Sequence, residues 1–466
     1  MDSRDAWMTE LENRYRERTP RSRALHGRAE EVMVRGGSHS LRLWKPYSFF
    51  IARGSGAEIV DVDGNVYIDY WQGHYANILG YDPTPIRRAL SRRESGGDLH
   101  SGFEDEYQVK LARLVLSGLP GRDLRIRFTT SGTLAATYAV MLSLAYTGRD
   151  RILKVGGGWH GSSPILLKGV KYHKGTGFEG ADSAGIPEEF QGRIDIIPFN
   201  DTERLESVIR DKGDRIAAFI LEPFLGAGGF LAASREFLGT ARRLTAERGI
   251  LLILDEIISG FRFGPSGVQA LYGIQPDLTT FGKIIGGGHA VAAVVGRAEV
   301  MDECHSAAPE PRRVLFEGGT FSAHPLYMRT GAAMLEFLTE HADSVYPRLA
   351  DLGRRLRAGI RAAFEAEGVE AVVTGDPGGA LPGSSLFMLH FPKSKIRPGN
   401  AEDLGDPEKN DLPLREDFLK LVLCLDGVHT IHGGGAISTA HDDALIDRTI
   451  DAYRAAARAF KKKLSG

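Results

Sequence analysis

Cysteine is nearly absent: Cys304 and Cys424 are the only two in 466 residues. Two are too few for a disulfide framework, and these lack the spacing of metal ligands. Both are expected to be ordinary buried or semi-buried thiols, and no metal site is expected. An excess of one charge is also missing. Lys and Arg number 58 against 60 Asp and Glu, a formal net charge of -2, which leaves no basic field to draw nucleic acid or anionic lipid. Local runs such as RRLRAGIRAAFEAE read as solvated helix faces. No run of ~18 apolar residues occurs, so no membrane span is expected. The first residues, MDSRDAWMTELENRYRERTPRSR, are charged and hold no apolar signal-peptide core. A secreted disulfide scaffold, a nucleic-acid binder and a membrane protein are thereby disfavoured, and a cytoplasmic protein is expected.

What is present is a regular alternation. The length fits two or three domains of ~150 residues, or one large α/β unit with a smaller companion. Residues 1–35 are polar and helix-prone, an arm or a helix packed on a neighbour. FFIARGSGAEIVDVDGNVYIDYW alternates apolar and polar residues around Asp63-Gly64, a hairpin signal. From about 90 to 330, apolar runs such as AAFILEP and GILLILDEI alternate with amphipathic stretches such as SREFLGTARRLTAERG, where Gly249 is placed as a helix C-cap. Near-continuous apolar runs suit parallel strands buried on both faces, and the alternation is the βαβ rhythm of an α/β fold. Two helices follow, LYMRTGAAMLEFLTEHA and YPRLADLGRRLRAGIRAAFEAEG, then a strand SSLFMLHF and a long polar loop, PKSKIRPGNAEDLGDPEKNDLPL. A last helix ends in basic residues, as the helix dipole favours. The expected division is an N-terminal arm and hairpin (1–90) belonging to a small domain, a large domain (91–330), and the C-terminal part of the small domain (331–466).

Asp255 directly follows the apolar run LLIL. Strand ends of this kind deliver ligand-binding residues in α/β sheets, although a cap on the next helix would account for the acid equally well. Lys283 tips the balance. It too follows a strand pattern, DLTTFG, and precedes three glycines. A buried acid and a semi-buried lysine on neighbouring strand ends suit pyridoxal phosphate. The lysine bonds the aldehyde as a Schiff base, and the acid keeps the pyridine nitrogen protonated, so that the ring acts as an electron sink. A phosphate cup is then required. In RFTTSGTLAATYAVML a strand-like run leads through Ser131, Gly132 and Thr133 into a helix, whose first amides and hydroxyls form an anion site; a plain N-cap is the other reading. KVGGGWHGSS adds Trp159, an aromatic able to stack on a flat ring.

The same stretch carries a rival. Gly156, Gly158 and Gly161 match the G-x-G-x-x-G fingerprint of a dinucleotide-dependent oxidoreductase. That pattern should open a helix, whereas SSPILLKG follows, with a proline and no helical period. No acid stands at a strand end ~20 residues on. FGKI is no phosphate-binding P-loop either, because Ile284 takes the place of the required Ser or Thr.

LILDEIISGFRFG, DLTTFGKIIGGG and GGTFSAHPL, in this order, resemble the class III, fold-type I pyridoxal-phosphate aminotransferases, and among them the branch of glutamate-1-semialdehyde aminomutase. The resemblance runs from DVDGNVYIDY to STAHDDALIDRTIDA. It implies a mostly parallel central sheet covered by helices on both faces, with a smaller α+β domain built from both chain ends. It implies Lys283 as the Schiff-base lysine and proton shuttle, and Asp255 as partner of the pyridinium nitrogen. Ile257 and Trp159 would lie on opposite ring faces, Ser131, Gly132 and Thr133 around the phosphate, and Glu222 near the ring oxygen and the substrate. Thr320 would reach the phosphate of the neighbouring subunit, which implies an obligate homodimer with shared sites. The glycines at 286–288 would let backbone pass close to the cofactor and the dimer partner. Trp159 stands where the branch usually has tyrosine or phenylalanine.

The branch contains aminomutases, which move an amino group within one carbon skeleton, and transaminases, which move it from an amino acid donor to a carbonyl acceptor by a ping-pong course. Its aminomutases carry Phe-Glu-Ala-Gly before Ser-x-Ala-His. Here the stretch is IHGGGAISTAH, with Gly433 in the place of the acid. WQGHYANILG replaces the branch's Ser-Trp-Gly-Pro run, so His74 and Tyr75 would line the pocket. Arg42, in GGSHSLRLWKP, lies near the place where relatives bind a substrate carboxylate. These departures favour a transaminase for an unusual amino acid or an amino-sugar-like compound, with the aminomutase as the alternative.

Overall fold

The computed structural model describes residues 3–91 and 102–464. The junction expected near residue 91 adjoins 92–101, which lie outside the described residues. Seven strands form the central sheet: β1 (Leu124–Thr129), β2 (Arg151–Val155), β3 (Ile194–Ile197), β4 (Ile216–Leu221), β5 (Leu251–Glu256), β6 (Leu278–Phe281) and β7 (Ala292–Arg297). They lie side by side in the order β1-β7-β6-β5-β4-β2-β3. All neighbouring pairs are parallel except those of β7, which runs antiparallel to β1 and β6. Every residue of β4 and β5 is buried, which is why their sequences are apolar almost throughout.

The two faces of the sheet are covered by different helices. Side chains alternate along a strand. On β5, Leu251 and Ile253 pack with Ala135 and Ala139 of the helix Gly132–Thr147, while Leu252 and Leu254 pack with Phe237 and Leu238 of the helix Arg235–Arg248. Each such buried leucine or isoleucine contributes about 2 kcal/mol relative to exposure. Helix Arg235–Arg248 starts at Ser234, whose hydroxyl accepts from the Phe237 amide at 3.0 Å, and ends at Gly249 with φ 60. The expected C-cap is therefore present, in the left-handed conformation that glycine adopts without cost.

The chain ends meet in a second sheet. Strands Ile51–Ser55, Glu58–Asp61 and Val66–Asp69 form an antiparallel meander, and Val428–His429 adds to it in parallel. The expected hairpin turns at Gly64, and Asp61 accepts the amides of Asp63 and Asn65 at 3.0 and 2.8 Å. A third sheet joins Val372–Thr374, Leu386–His390 and Gly434–Ala436. The N-terminal arm packs on its own chain. Trp7, Leu11 and Tyr15 recur every fourth residue of helix Ser3–Arg18 and are all buried, one stripe of a 3.6-residue period. The long polar segment after Phe391 is not featureless: Asn400 caps a short helix, Ala401–Gly405, and Asp403 is held by Arg397 at 2.9 Å and Lys409 at 2.5 Å. Among the described residues no helix is long and apolar enough to cross a membrane.

Trp7, 3 % exposed, lies 4.7 Å from the Phe418 ring and 5.3 Å, edge-on, from Phe460. Trp7→Ala is expected to lower stability by about 3 kcal/mol or more, read as a lower urea midpoint. An unchanged midpoint would mean that the arm is not part of the folded unit.

Candidate active site

The carboxyl ends of β5 and β6 open into a cavity of about 250 Å³. Asp255 and Lys283 meet in it, Trp159, Glu222 and Ile257 form its walls, and Ser131, Gly132 and Thr133 close one end. Strand register brings the first two together. Asp255 pairs in the parallel ladder with Thr280, and Lys283 follows β6 with only Gly282 between.

Asp255 is buried, and its carboxylate is held from three sides. Oδ1 accepts from the Thr280 hydroxyl at 3.0 Å and from the Ile257 amide at 3.1 Å, and Oδ2 lies 2.7 Å from His160 Nδ1. Asp255 shares its side of the sheet with Ile253 and hence with the helix that begins at Gly132. The next residue, Glu256, points to the other side, and there it does the capping: it accepts the amides of Val268 and Gln269 at 2.5 and 2.9 Å, at the start of helix Val268–Tyr272. Of the two acids in LLILDE, one caps and the other faces the cavity.

Lys283 begins a 3-10 turn, Lys283–Gly286, with a left-handed φ of 47. That conformation costs a side-chain-bearing residue on the order of 1 kcal/mol. Burial draws its ammonium down to about 8, against the charges of Asp255 and Glu222, which favour protonation. At pH 7 roughly a tenth of such amines are the free base. Glu222 Oε1 accepts from the Trp159 amide and Oε2 from the Gly226 amide, both at 2.9 Å. Burial, and then the Asp255 charge, push its carboxyl upward all the same. Gly287, with φ 60, approaches the chain's own helix Pro325–Glu340: a Cβ there would stand 2.6 Å from the Thr330 carbonyl oxygen.

Ser131 caps the helix Gly132–Thr147 by accepting from the Leu134 amide at 3.3 Å. The first-turn amides of a helix lack intrahelical acceptors, and Gly132 and Thr133 both border the cavity, so the cap and a helix start facing the cavity occur together. At the other candidate phosphate loop, 156–163, no helix opens after the glycines, and the dinucleotide reading has no structural counterpart. Residues 42–382 match the family model Aminotransferase class-III.

The chain belongs to the class-III aminotransferases. Glutamate-1-semialdehyde 2,1-aminomutase of Haloquadratum walsbyi is 35 % identical to this aminotransferase over 93 % of its chain and 99 % of the relative's. An omega-transaminase from Sphaerobacter thermophilus superimposes with a TM-score of 0.84 at 32 % identity, covering 94 % of the aminotransferase and 97 % of that structure. A transaminase with PLP bound superimposes at 0.81 with 28 % identity, over 95 % and 98 % of the two chains. The aminotransferase is a pyridoxal-phosphate enzyme, and its cavity suits that group. It offers helix amides at one end and an amine beside a carboxylate at the other. The walls approach closely: a Cβ on Gly132 would stand 3.0 Å from Ile257 Cδ1, and one on Gly161 would collide with Thr133.

Four residues singled out from sequence do not border this cavity. Thr320 is exposed, and Arg42 is exposed with its guanidinium donating to Ser38 Oγ at 3.0 Å. His74 and Tyr75 sit in a turn whose four residues, Gln72 to Tyr75, are all left-handed, with φ 46, 58, 58 and 69. Asp69 anchors that turn by accepting the Trp71 and Gln72 amides at 3.1 and 2.7 Å. His74 lies 4.3 Å from Trp71 and 5.3 Å from His39, and burial, with the charges of His39, Arg42 and Lys283, draws it down to about 4. Tyr75 turns to Phe230 at 5.6 Å, and its carbonyl accepts from Arg262. Among the cavity residues of the aminotransferase that were missed are two histidines, His160 and His289. Each directly follows a residue that was singled out, Trp159 and Gly288, and a histidine in that place is the signal.

Only the neutral amine is a nucleophile, so the lowered Lys283 value has a consequence. Covalent attachment of pyridoxal phosphate to the cofactor-free aminotransferase should quicken as pH rises and level off above about 8, the value to which burial lowers Lys283. Stopped-flow absorbance reads this directly. A rate still climbing steeply toward pH ~10, the ordinary lysine range, would contradict it.

Proposed function

We propose that the protein is an intermolecular aminotransferase, moving an amino group from an amino acid donor to a carbonyl acceptor in two half-reactions. Lys283 carries the cofactor between turnovers and, once released, moves a proton at the substrate carbon. Bound pyridoxal phosphate supplies the electron sink for the pair released at that carbon. Asp255 keeps the ring nitrogen protonated, with Thr280 and His160 fixing the direction of its carboxylate. Trp159 and Ile257 flank the ring, while Ser131, Gly132 and Thr133 bind the phosphate. Glu222 lies by the ring oxygen and the substrate. Thr320, exposed on one subunit, serves the phosphate of the other in a homodimer. Arg42 and His74 lie toward the substrate side, and Tyr75 supports the turn that carries His74.

The choice against an aminomutase rests on Gly433. It has φ 74, and a Cβ there would stand 2.7 Å from Arg415 Cγ and 2.9 Å from the Leu389 carbonyl oxygen. This backbone leaves no space for the acidic side chain that the aminomutases of the branch carry. The acid nearby in sequence to this contact, Glu416, is engaged by His432 and Arg415, each at 2.8 Å. The relative from Haloquadratum walsbyi, an aminomutase by name, favours the second reading.

Isotopic nitrogen separates the two. Label supplied in an external amino donor should appear in the product; a lone substrate that isomerises while label stays out would establish the aminomutase. The assignment of groups is tested by substitution. Lys283→Ala should abolish the visible absorbance that borohydride fixes, along with nearly all turnover. Asp255→Asn should keep the fold and lose at least ~100-fold in rate, about 3 kcal/mol of barrier. Near-normal rates in either variant would remove that residue from the chemistry.

A further inference from the structure

Lys154, on β2, is fully buried at 0 % exposure, and the mechanism above does not use it. Its Nζ donates to the Gly158 carbonyl at 3.2 Å and to the Leu166 carbonyl at 3.0 Å. Both acceptors are neutral, and no ion pair to it occurs among the described residues. Burying an ammonium in this way costs several kcal/mol unless its charge is compensated. Here the charges of Asp182, Glu222 and Asp255 act against the burial that draws Lys154 down to about 8, and the group stays mostly protonated at neutral pH. An apolar side chain of similar length would fill the same space without that cost, so the retained charge points to a task.

The loop between the two carbonyls carries Trp159 and His160. Gly157 and Gly161, at φ 83 and 81, give it little shape of its own, so its course depends on anchors. The anchors beyond Lys154 lead to the cavity: the Trp159 amide to Glu222 at 2.9 Å, His160 Nδ1 to Asp255 at 2.7 Å, and the Ser162 amide to Thr133 Oγ1 at 3.3 Å. We propose that Lys154 is a positioning residue for the cofactor ring: its ammonium clasps both ends of the loop 158–166 and so sets His160 against Asp255 and Trp159 over the cavity. This rests on the reading of Asp255 and Trp159 as ring contacts.

The charge matters as well as the donors. His160 is held below the ordinary histidine range by burial, against its bond to Asp255, and the nearby Lys154 charge adds to that lowering. A neutral imidazole that donates from Nδ1 leaves Asp255 its negative charge for the ring nitrogen. An imidazolium would neutralise it.

Lys154→Met removes donors and charge at nearly constant length, and Lys154→Gln keeps a donor without the charge. On both proteins, loaded with pyridoxal phosphate, three quantities are read: cofactor affinity, visible circular dichroism per bound cofactor, and the thermal midpoint of the cofactor-free form. Lys154→Met should bind cofactor roughly tenfold or more weakly, the scale of lost charge-assisted hydrogen bonds, with altered dichroism; Lys154→Gln should fall between it and the wild type. A lysine that only supports the fold would lower the midpoint and leave the dichroism per bound cofactor unchanged, and that result overturns the proposal. So does affinity within about twofold of wild type in either folded variant. Should Lys154→Met fail to fold, Lys154→Gln is read alone against the same criteria. Wild-type protein in which borohydride fixes no cofactor on Lys283 would instead remove the reading of the site itself.

Discussion

A carboxylate buried at the end of a central strand governs the arrangement around it. Asp255 stands in the interior, where an unpaired charge is costly, and each neighbour that lowers this cost also fixes its direction. Thr280 comes from the adjacent strand, the Ile257 amide from its own chain, and His160 from a loop across the cavity. The same charge reaches Lys283, where it opposes the effect of burial, and Glu222, where it adds to that effect. Burial has the larger effect on both groups, and this one negative charge then favours the protonated form of each.

Two left-handed segments meet next to it. Lys283 is left-handed, and so are all four residues from Gln72 to Tyr75. Such conformations persist only where surrounding contacts determine them. For Lys283 these are the adjoining glycines and the close packing of its turn on helix Pro325–Glu340. For the 72–75 turn the anchor is Asp69, which also holds the Tyr81 hydroxyl at 2.7 Å and His429 Nδ1 at 2.6 Å. His429 comes from the other end of the chain. The sheet that joins the two chain ends therefore anchors the turn that packs against Lys283–Gly286, while the seven-stranded sheet carries Asp255 and Lys283.

The reading of the reaction type turns on the surroundings of Gly433. Glycine at position 433 is required by its surroundings, because its backbone passes too near Leu389 and Arg415 for any Cβ. Around it, Arg415 contacts both Glu416 and His390 Nδ1, the latter at 2.9 Å, so the local charges are matched among themselves.

Much of this was legible in the residue order. Apolar runs marked β4 and β5 because a strand covered on both faces must be apolar throughout. Gly249 and Asp63-Gly64 marked a helix end and a hairpin because turn chemistry is local. Lys283, Asp255 and the Ser131 cup could be named because strand ends and helix starts present such groups in any α/β sheet. From its position alone the sequence could not say whether Asp255 caps the next helix or faces the cavity, since that depends on which helix covers which face. Nor could it show that Lys154 is buried, that His160 meets Asp255, or that His74 and Tyr75 turn aside from the cavity wall. Those facts depend on contacts between residues far apart in the chain, and burial, charge and direction are properties of such neighbours rather than of the residue itself.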